Sequence, residues 1–85
     1  MAELKDFTTK EKLAEIWRAL DIDEERRAEA LIHAASAQLR LIAKNNNIDL
    51  DEIIENDSSK VFADSVGFVV LSAVKRAMLT PADAP

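Results

Sequence analysis

The chain has no cysteine, a single glycine and two prolines. Without cysteine there can be no disulfide, no thiolate metal ligand and no sulfur nucleophile, a usage that suits a reducing cytoplasm. So little glycine and proline leaves few residues for hairpin turns. The one glycine, Gly67, lies inside an apolar stretch where it eases close packing, so no glycine-rich phosphate cradle exists and nucleotide binding has no support. Long hydrophobic runs are missing as well. Residues 1–6 are too polar and too few for a secretory signal, and Val66 to Val74 falls far short of a membrane span. Positive charge is in deficit, with eleven bases against sixteen acids and a net charge of −5. That balance repels phosphate backbones and argues against a nucleic-acid-binding domain.

What remains is a helix-forming chain of 85 residues, fourteen of them alanine. A chain of this length supports one core, so a single domain is expected over 1–85, with residues 81–85 as a flexible tail. The expected class is all-α, a small bundle of three longer helices plus one short connector helix. Phe7-Thr8-Thr9-Lys10-Glu11 reads as a helix start, with Thr8 as N-cap and Glu11 completing a capping box. Leu13, Ile16, Trp17 and Leu20 then share one face, so this first helix is expected to reach Leu20. Asp21 and Asp23 offer caps for a long second helix that runs to about Lys44. Its core face is Ala28, Leu31, Ile32, Ala35, Leu39 and Ile42, and Asn45-Asn46-Asn47 tolerates a left-handed stop. Asp49 with Glu52 opens a short connector. A fourth helix is expected to begin after Asp57 or Ser58 and to end near Leu79, before Pro81. Its valines also suit a buried strand, but no partner strand is available.

The fourth helix carries the main functional signal. At 3.6 residues per turn its apolar side chains fall on two arcs, the first with Phe62, Val66, Val69, Val70, Ala73 and Ala77, the second with Phe68, Leu71 and Met78. Asp64 and Lys75 border the second arc, and Ser65, Ser72 and Arg76 separate the two. A peripheral helix needs one apolar face, so Phe68, Leu71 and Met78 are expected to meet a neighbouring subunit, with Lys75 and Arg76 on acidic groups beside them. The competing reading makes this the central helix of a small bundle, covered on both sides by its own chain. A second stripe, Arg26, His33, Arg40 and Lys44 on the second helix, opposes acids in 21–25 and 49–57 and suits head-to-tail association. The plain alternative is a solvated helix face.

No catalytic, metal or cofactor site is expected. His33 is the only histidine and has no second ligand in view. Asp49-Leu50-Asp51-Glu52 resembles the opening of a calcium loop, but Ile54 stands where glycine is needed and Lys60 where glutamate is needed. Asp64-Ser65-Val66 is similar to the tripeptide of acyl carrier proteins, whose serine bears the phosphopantetheine arm. That serine opens a helix with further helices after it, whereas Ser65 lies within the last one, so this stays a remote alternative.

Three stretches together resemble a known family: Phe7 to Leu20 with its Trp17-Arg18, Glu24 to Arg40, and Val70 to Met78 followed by Pro81. Val74-Lys75-Arg76-Ala77 with its nearby proline is the most specific piece. They are similar to the small head-to-tail connector proteins of tailed bacteriophages. The resemblance implies a helical adaptor without enzyme activity, found in the phage neck and, during assembly, in the host cytoplasm. It implies a homo-oligomeric ring, twelve-fold in the particle, between the portal protein and a tail-side connector or stopper. DNA would pass through its axial channel without specific binding, and no membrane is involved. Relatives continue beyond the proline, so a chain ending at Pro85 is expected to be a short member or a truncated one. A net negative channel wall would repel passing DNA. The alternative from another class is a stand-alone acidic helical interaction module or regulator that stays monomeric.

Overall fold

In the computed structural model residues 5–79 are described. Four helices follow in chain order: α1 (Lys10–Ile16), α2 (Ile22–Asn45), α3 (Leu50–Asn56) and α4 (Val61–Leu79). The class is all-α, and no strand occurs among the described residues. The tail expected at 81–85 lies outside them.

Caps set most helix boundaries. The N-cap of α1 is Thr9, one residue later than the capping box suggested, and its Oγ1 accepts the Lys12 N–H at 3.2 Å. Thr8 is instead half-buried near Gly67. A full capping box opens α2: Asp21 Oδ1 accepts the Glu24 N–H at 2.8 Å, and Glu24 Oε1 accepts the Asp21 N–H at 3.1 Å. The first helix stops at Ile16 rather than Leu20: the Trp17 N–H still bonds the Leu13 carbonyl, but Trp17 itself leaves helical geometry at φ −125°, ψ −81°. Two helices are therefore long and two short.

At the far end of α2, Asn47 takes a left-handed φ of 60°, as a helix stop rich in asparagine allows. Asp49 caps α3 through the Glu52 N–H. The fourth helix starts later than its acidic cap suggested. Asp57 Oδ1 accepts from the Ser59 N–H and hydroxyl, and its Oδ2 reaches forward to the Phe62 N–H at 2.8 Å. Lys60, with φ 62°, makes the turn between them.

The core is one cluster of Leu13 from α1, Ala28 and Ile32 from α2, and Val70, Leu71 and Val74 from α4. Phe7, Trp17, Leu20, Leu31, Ala35, Leu39 and Met78 close around it. Burying each large aliphatic side chain contributes about 1.5–3 kcal/mol, so Leu13 alone anchors the seven-residue α1. Ile42, expected in the core, is 52% exposed. The helix turns it outward, and the neighbouring Ala43 is buried in its place. Ser36 is fully buried, its hydroxyl satisfied by the Phe7 N–H at 3.1 Å. This bond pins the segment before α1 across α2. Gly67 receives the same segment from the other side: a Cβ built there would stand 3.0 Å from the Phe7 carbonyl oxygen.

Candidate protein interface

Charge is laid out on α2 as the sequence pattern suggested, but much of it is used within the monomer. Arg40 forms a fork with Asp51 of α3, Nε to Oδ2 and Nη2 to Oδ1, both at 2.9 Å. Its guanidinium lies over the Phe7 ring at 4.3 Å and also donates to the Lys5 carbonyl. Bidentate, stacked geometry of this kind suits arginine and not lysine. Arg40 is thus a clamp joining the N-terminal segment, α2 and α3. His33 Nδ1 lies 3.0 Å from Asp6 Oδ1. Arg26 is exposed and lines an open cleft with Lys10, Glu29 and His33. Lys44 is exposed beside a smaller cleft that Arg40 and Asp51 share. The predicted basic stripe is therefore divided, with Arg40 withdrawn from any partner.

Three further ion pairs brace the α1 side. Lys10 Nζ lies 2.5 Å from Glu29 and 3.7 Å from Glu25. The hydrogen bond to Glu29 raises the Lys10 pKa above its ordinary value. Arg18 donates to both carboxylate oxygens of Glu24, at 2.9 and 2.6 Å, and stacks over Trp17 at 4.1 Å. The Arg18 bonds and the Asp21 N–H together hold the Glu24 carboxyl down at about 2. Asp57 is also lowered, by the Ser59 hydroxyl and then the Phe62 N–H.

The apolar residues assigned to an interface separate in space. Phe68 is 63% exposed. Leu71, by contrast, is only 6% exposed and belongs to the core, so it is withdrawn from the predicted interface. Met78 is half-buried against that core. Leu71 and Met78 follow Gly67 along one face of the helix at intervals of four and seven residues, and Gly67 is the position that meets the Phe7–Thr8 segment. Lys75 is half-buried and Arg76 exposed.

Part of the open apolar surface lies on the first arc, at Val69 and Ala73. Ala35, Gln38, Leu39 and Ile42 of α2 and Val69, Val70 and Ala73 of α4 line a groove of about 140 Å3. A second depression of about 160 Å3, lined by Leu31, Ala34, Val74 and Ala77 among others, shares Ala35, Gln38 and Ala73 with it and extends the seam toward the end of α4. Arg27 reaches across near that end, its Nη2 donating to the Ala77 carbonyl at 3.0 Å. Periodicity puts Ile42 on the core face of α2 and Val69 and Ala73 on the first arc of α4. The signal that could have exposed the seam was alanine at 34, 35, 73 and 77 on facing arcs. Among the described residues no group of three or more His, Cys, Asp or Glu is placed to hold a metal ion, and no helix is long and apolar enough to cross a membrane.

Comparison with curated proteins gives no significant match, and neither does comparison with solved structures. The family described as Phage protein Gp19/Gp15/Gp42 does match, over residues 16–85. That stretch contains α2, α3, α4 and hence both walls of the groove. With most of its length covered by the match, the chain belongs to this phage protein family.

Proposed function

We propose that the chain is a structural subunit of the phage particle, an adaptor at the head-to-tail junction that works by binding and not by catalysis. On this reading copies form a ring, twelve-fold in the particle, between the portal protein and a tail-side connector or stopper. The observation that carries the reading is the α2–α4 groove. In a member of a phage protein family, this small helical chain leaves Ile42, Val69 and Phe68 more than half exposed. Apolar surface of this kind on a soluble chain marks a contact with another protein. Residues 16–85 resemble phage proteins as a family, and the narrower likeness to head-to-tail connectors rests on Trp17-Arg18, Glu24 to Arg40 and Val74 to Ala77.

Deleting the coding sequence from the phage genome tests the proposal. The expected result is accumulation of DNA-filled heads and separate tails, restored to joined particles by supplying the chain in trans. Mass spectrometry of purified wild-type particles should then detect the chain in multiple copies. Joined, infectious particles formed without it would refute the role and favour the monomeric regulator.

A further inference from the structure

We propose that residues 5–9 are an exchangeable internal ligand: the channel between α2 and α4 that holds them in one copy takes the same segment from a neighbouring copy. The proposal deepens the adaptor reading and rests on it for the ring, whereas the exchange is a property of the purified chain. The channel lies on a different side of the α2–α4 contact from the open groove, and its walls are shaped for a peptide backbone. Ser36 is 0% exposed, and its hydroxyl accepts the Phe7 N–H at 3.1 Å. A polar group so deeply buried is destabilising unless it is paired, and the Phe7 amide pairs it. Arg40 covers the Phe7 ring at 4.3 Å and donates to the Lys5 carbonyl, while Asp6 Oδ1 lies 3.0 Å from His33 Nδ1. Positions 33, 36 and 40 form a single stripe along α2. From α4, the only glycine of the chain lets the backbone in, since a Cβ at Gly67 would stand 3.0 Å from the Phe7 carbonyl oxygen. Glycine inside a helix costs about 1 kcal/mol against alanine, and the close approach of the segment accounts for its presence. A buried hydroxyl, a glycine and a stacked arginine thus converge on one short peptide, Asp6-Phe7-Thr8.

The segment is attached in a way that lets it leave. It is followed by α1, seven residues long with Leu13 as its one buried side chain, and isolated helices shorter than about 12 residues are marginal in water. Residues 17–20 lie outside any helix, so the connection from α1 to α2 is a hinge. Rotation there carries residues 5–16 away from their own α4 while α2, α3 and α4 stay together. Seated on a second copy, the segment makes the same hydrogen bonds and the same stacking, so the two states differ only at the hinge. Exchange of an identical element between copies is for this reason a low-cost route to assembly. Donor and acceptor must be immediate neighbours, because residues 17–21 span at most about 18 Å. Each copy gives its segment on one side and accepts another on the other side, a head-to-tail contact that closes into a ring.

The test uses full-length chains, with circular dichroism as the control for folding. Phe7→Ala vacates the channel. A fluorescein-labelled peptide of residues 5–13 should then bind that variant at least about ten-fold more tightly than it binds wild type, whose own segment competes at an effective concentration of about 1 mM. The same peptide carrying Phe7→Ala should bind neither chain. Phe7→Leu, which keeps apolar bulk without the ring under Arg40, takes the place of Phe7→Ala if that variant loses its helices. Transfer between copies is read by native mass spectrometry. Gly67→Leu closes the channel and frees the segment, so its mixture with Phe7→Ala should give one-to-one heterodimers that neither variant forms alone; Gly67→Ala serves if Gly67→Leu loses its fold. A peptide that binds all the chains alike, or none of them, would overturn the channel, and a mixture without heterodimers would overturn the exchange. Either failure leaves the adaptor role to the genome deletion.

Discussion

At the scale of single residues, the charged side chains explain why surface and interior were hard to tell apart in the sequence. Arg40 falls opposite the core face of α2, and periodicity alone makes it a surface residue. In the folded chain the Phe7 segment crosses over it and Asp51 comes up from α3, a convergence of positions 7, 40 and 51 that no local pattern encodes. Glu24 is the opposite case, since its capping role was legible from Asp21 three residues before. Its pKa makes a testable statement. The folded value is lowered from 4.5 to about 2, so the stabilisation it supplies is present above pH 4.5 and is lost as pH falls through the folded value. Glu24→Gln should therefore melt below wild type near neutral pH, with the gap between them closing as pH drops from 4.5 toward about 2. Thermal unfolding followed by circular dichroism across that range reads the gap. A difference independent of pH would mean that the ionised carboxylate is not what the Arg18 fork stabilises.

At the scale of helices, most capped starts and the asparagine stop were readable and the end of α1 was not. Asp49 and Asn47 behave as their residue types dictate. The stop of α1 at Ile16, where Trp17 leaves helical geometry, is hidden by an apolar periodicity that runs on through Leu20. The arcs of α4 were likewise visible, but not which of them would be covered. That was decided by Leu13 and the Phe7–Thr8 segment packing along Gly67, Leu71 and Val74, which drew Leu71 inward and left Val69 and Ala73 open. Gly67 is the hinge of this arrangement. In an open helix interior, glycine to alanine stabilises by about 1 kcal/mol. Here the new methyl meets the Phe7 carbonyl oxygen at 3.0 Å, and the segment must shift to admit it. Gly67→Ala is therefore expected to show no gain in thermal stability, and faster hydrogen exchange at the Phe7 amide that now bonds Ser36. A gain of about 1 kcal/mol with unchanged exchange at Phe7 would show that the helix does not need glycine there.

At the scale of the whole molecule, the proposed ring raises the question of which force would bring copies together. A net charge of −5 makes every copy repel every other, and this repulsion extends over about 10 Å at 0.1 M salt. Head-to-tail attraction between a basic and an acidic side would have to overcome it. Yet Arg40 is spent on Asp51 and Phe7, and His33 pairs with Asp6, so the basic side is weaker than the sequence suggests. The apolar groove and Phe68 are not spent in this way. The two origins respond to salt in opposite directions. Screening removes attraction from a contact built on opposite charges, whereas it removes only repulsion from one built on apolar burial between like-charged molecules. Raising salt from about 0.05 to 0.5 M at neutral pH should therefore strengthen self-association measured by sedimentation. Moving toward the isoelectric point of about 4.7 should strengthen it further, since the net charge then vanishes while Phe68 and the groove are unchanged. Dissociation by salt would reverse the assignment and return the interface to Arg26, Lys44 and the acids of residues 21–25 and 49–57.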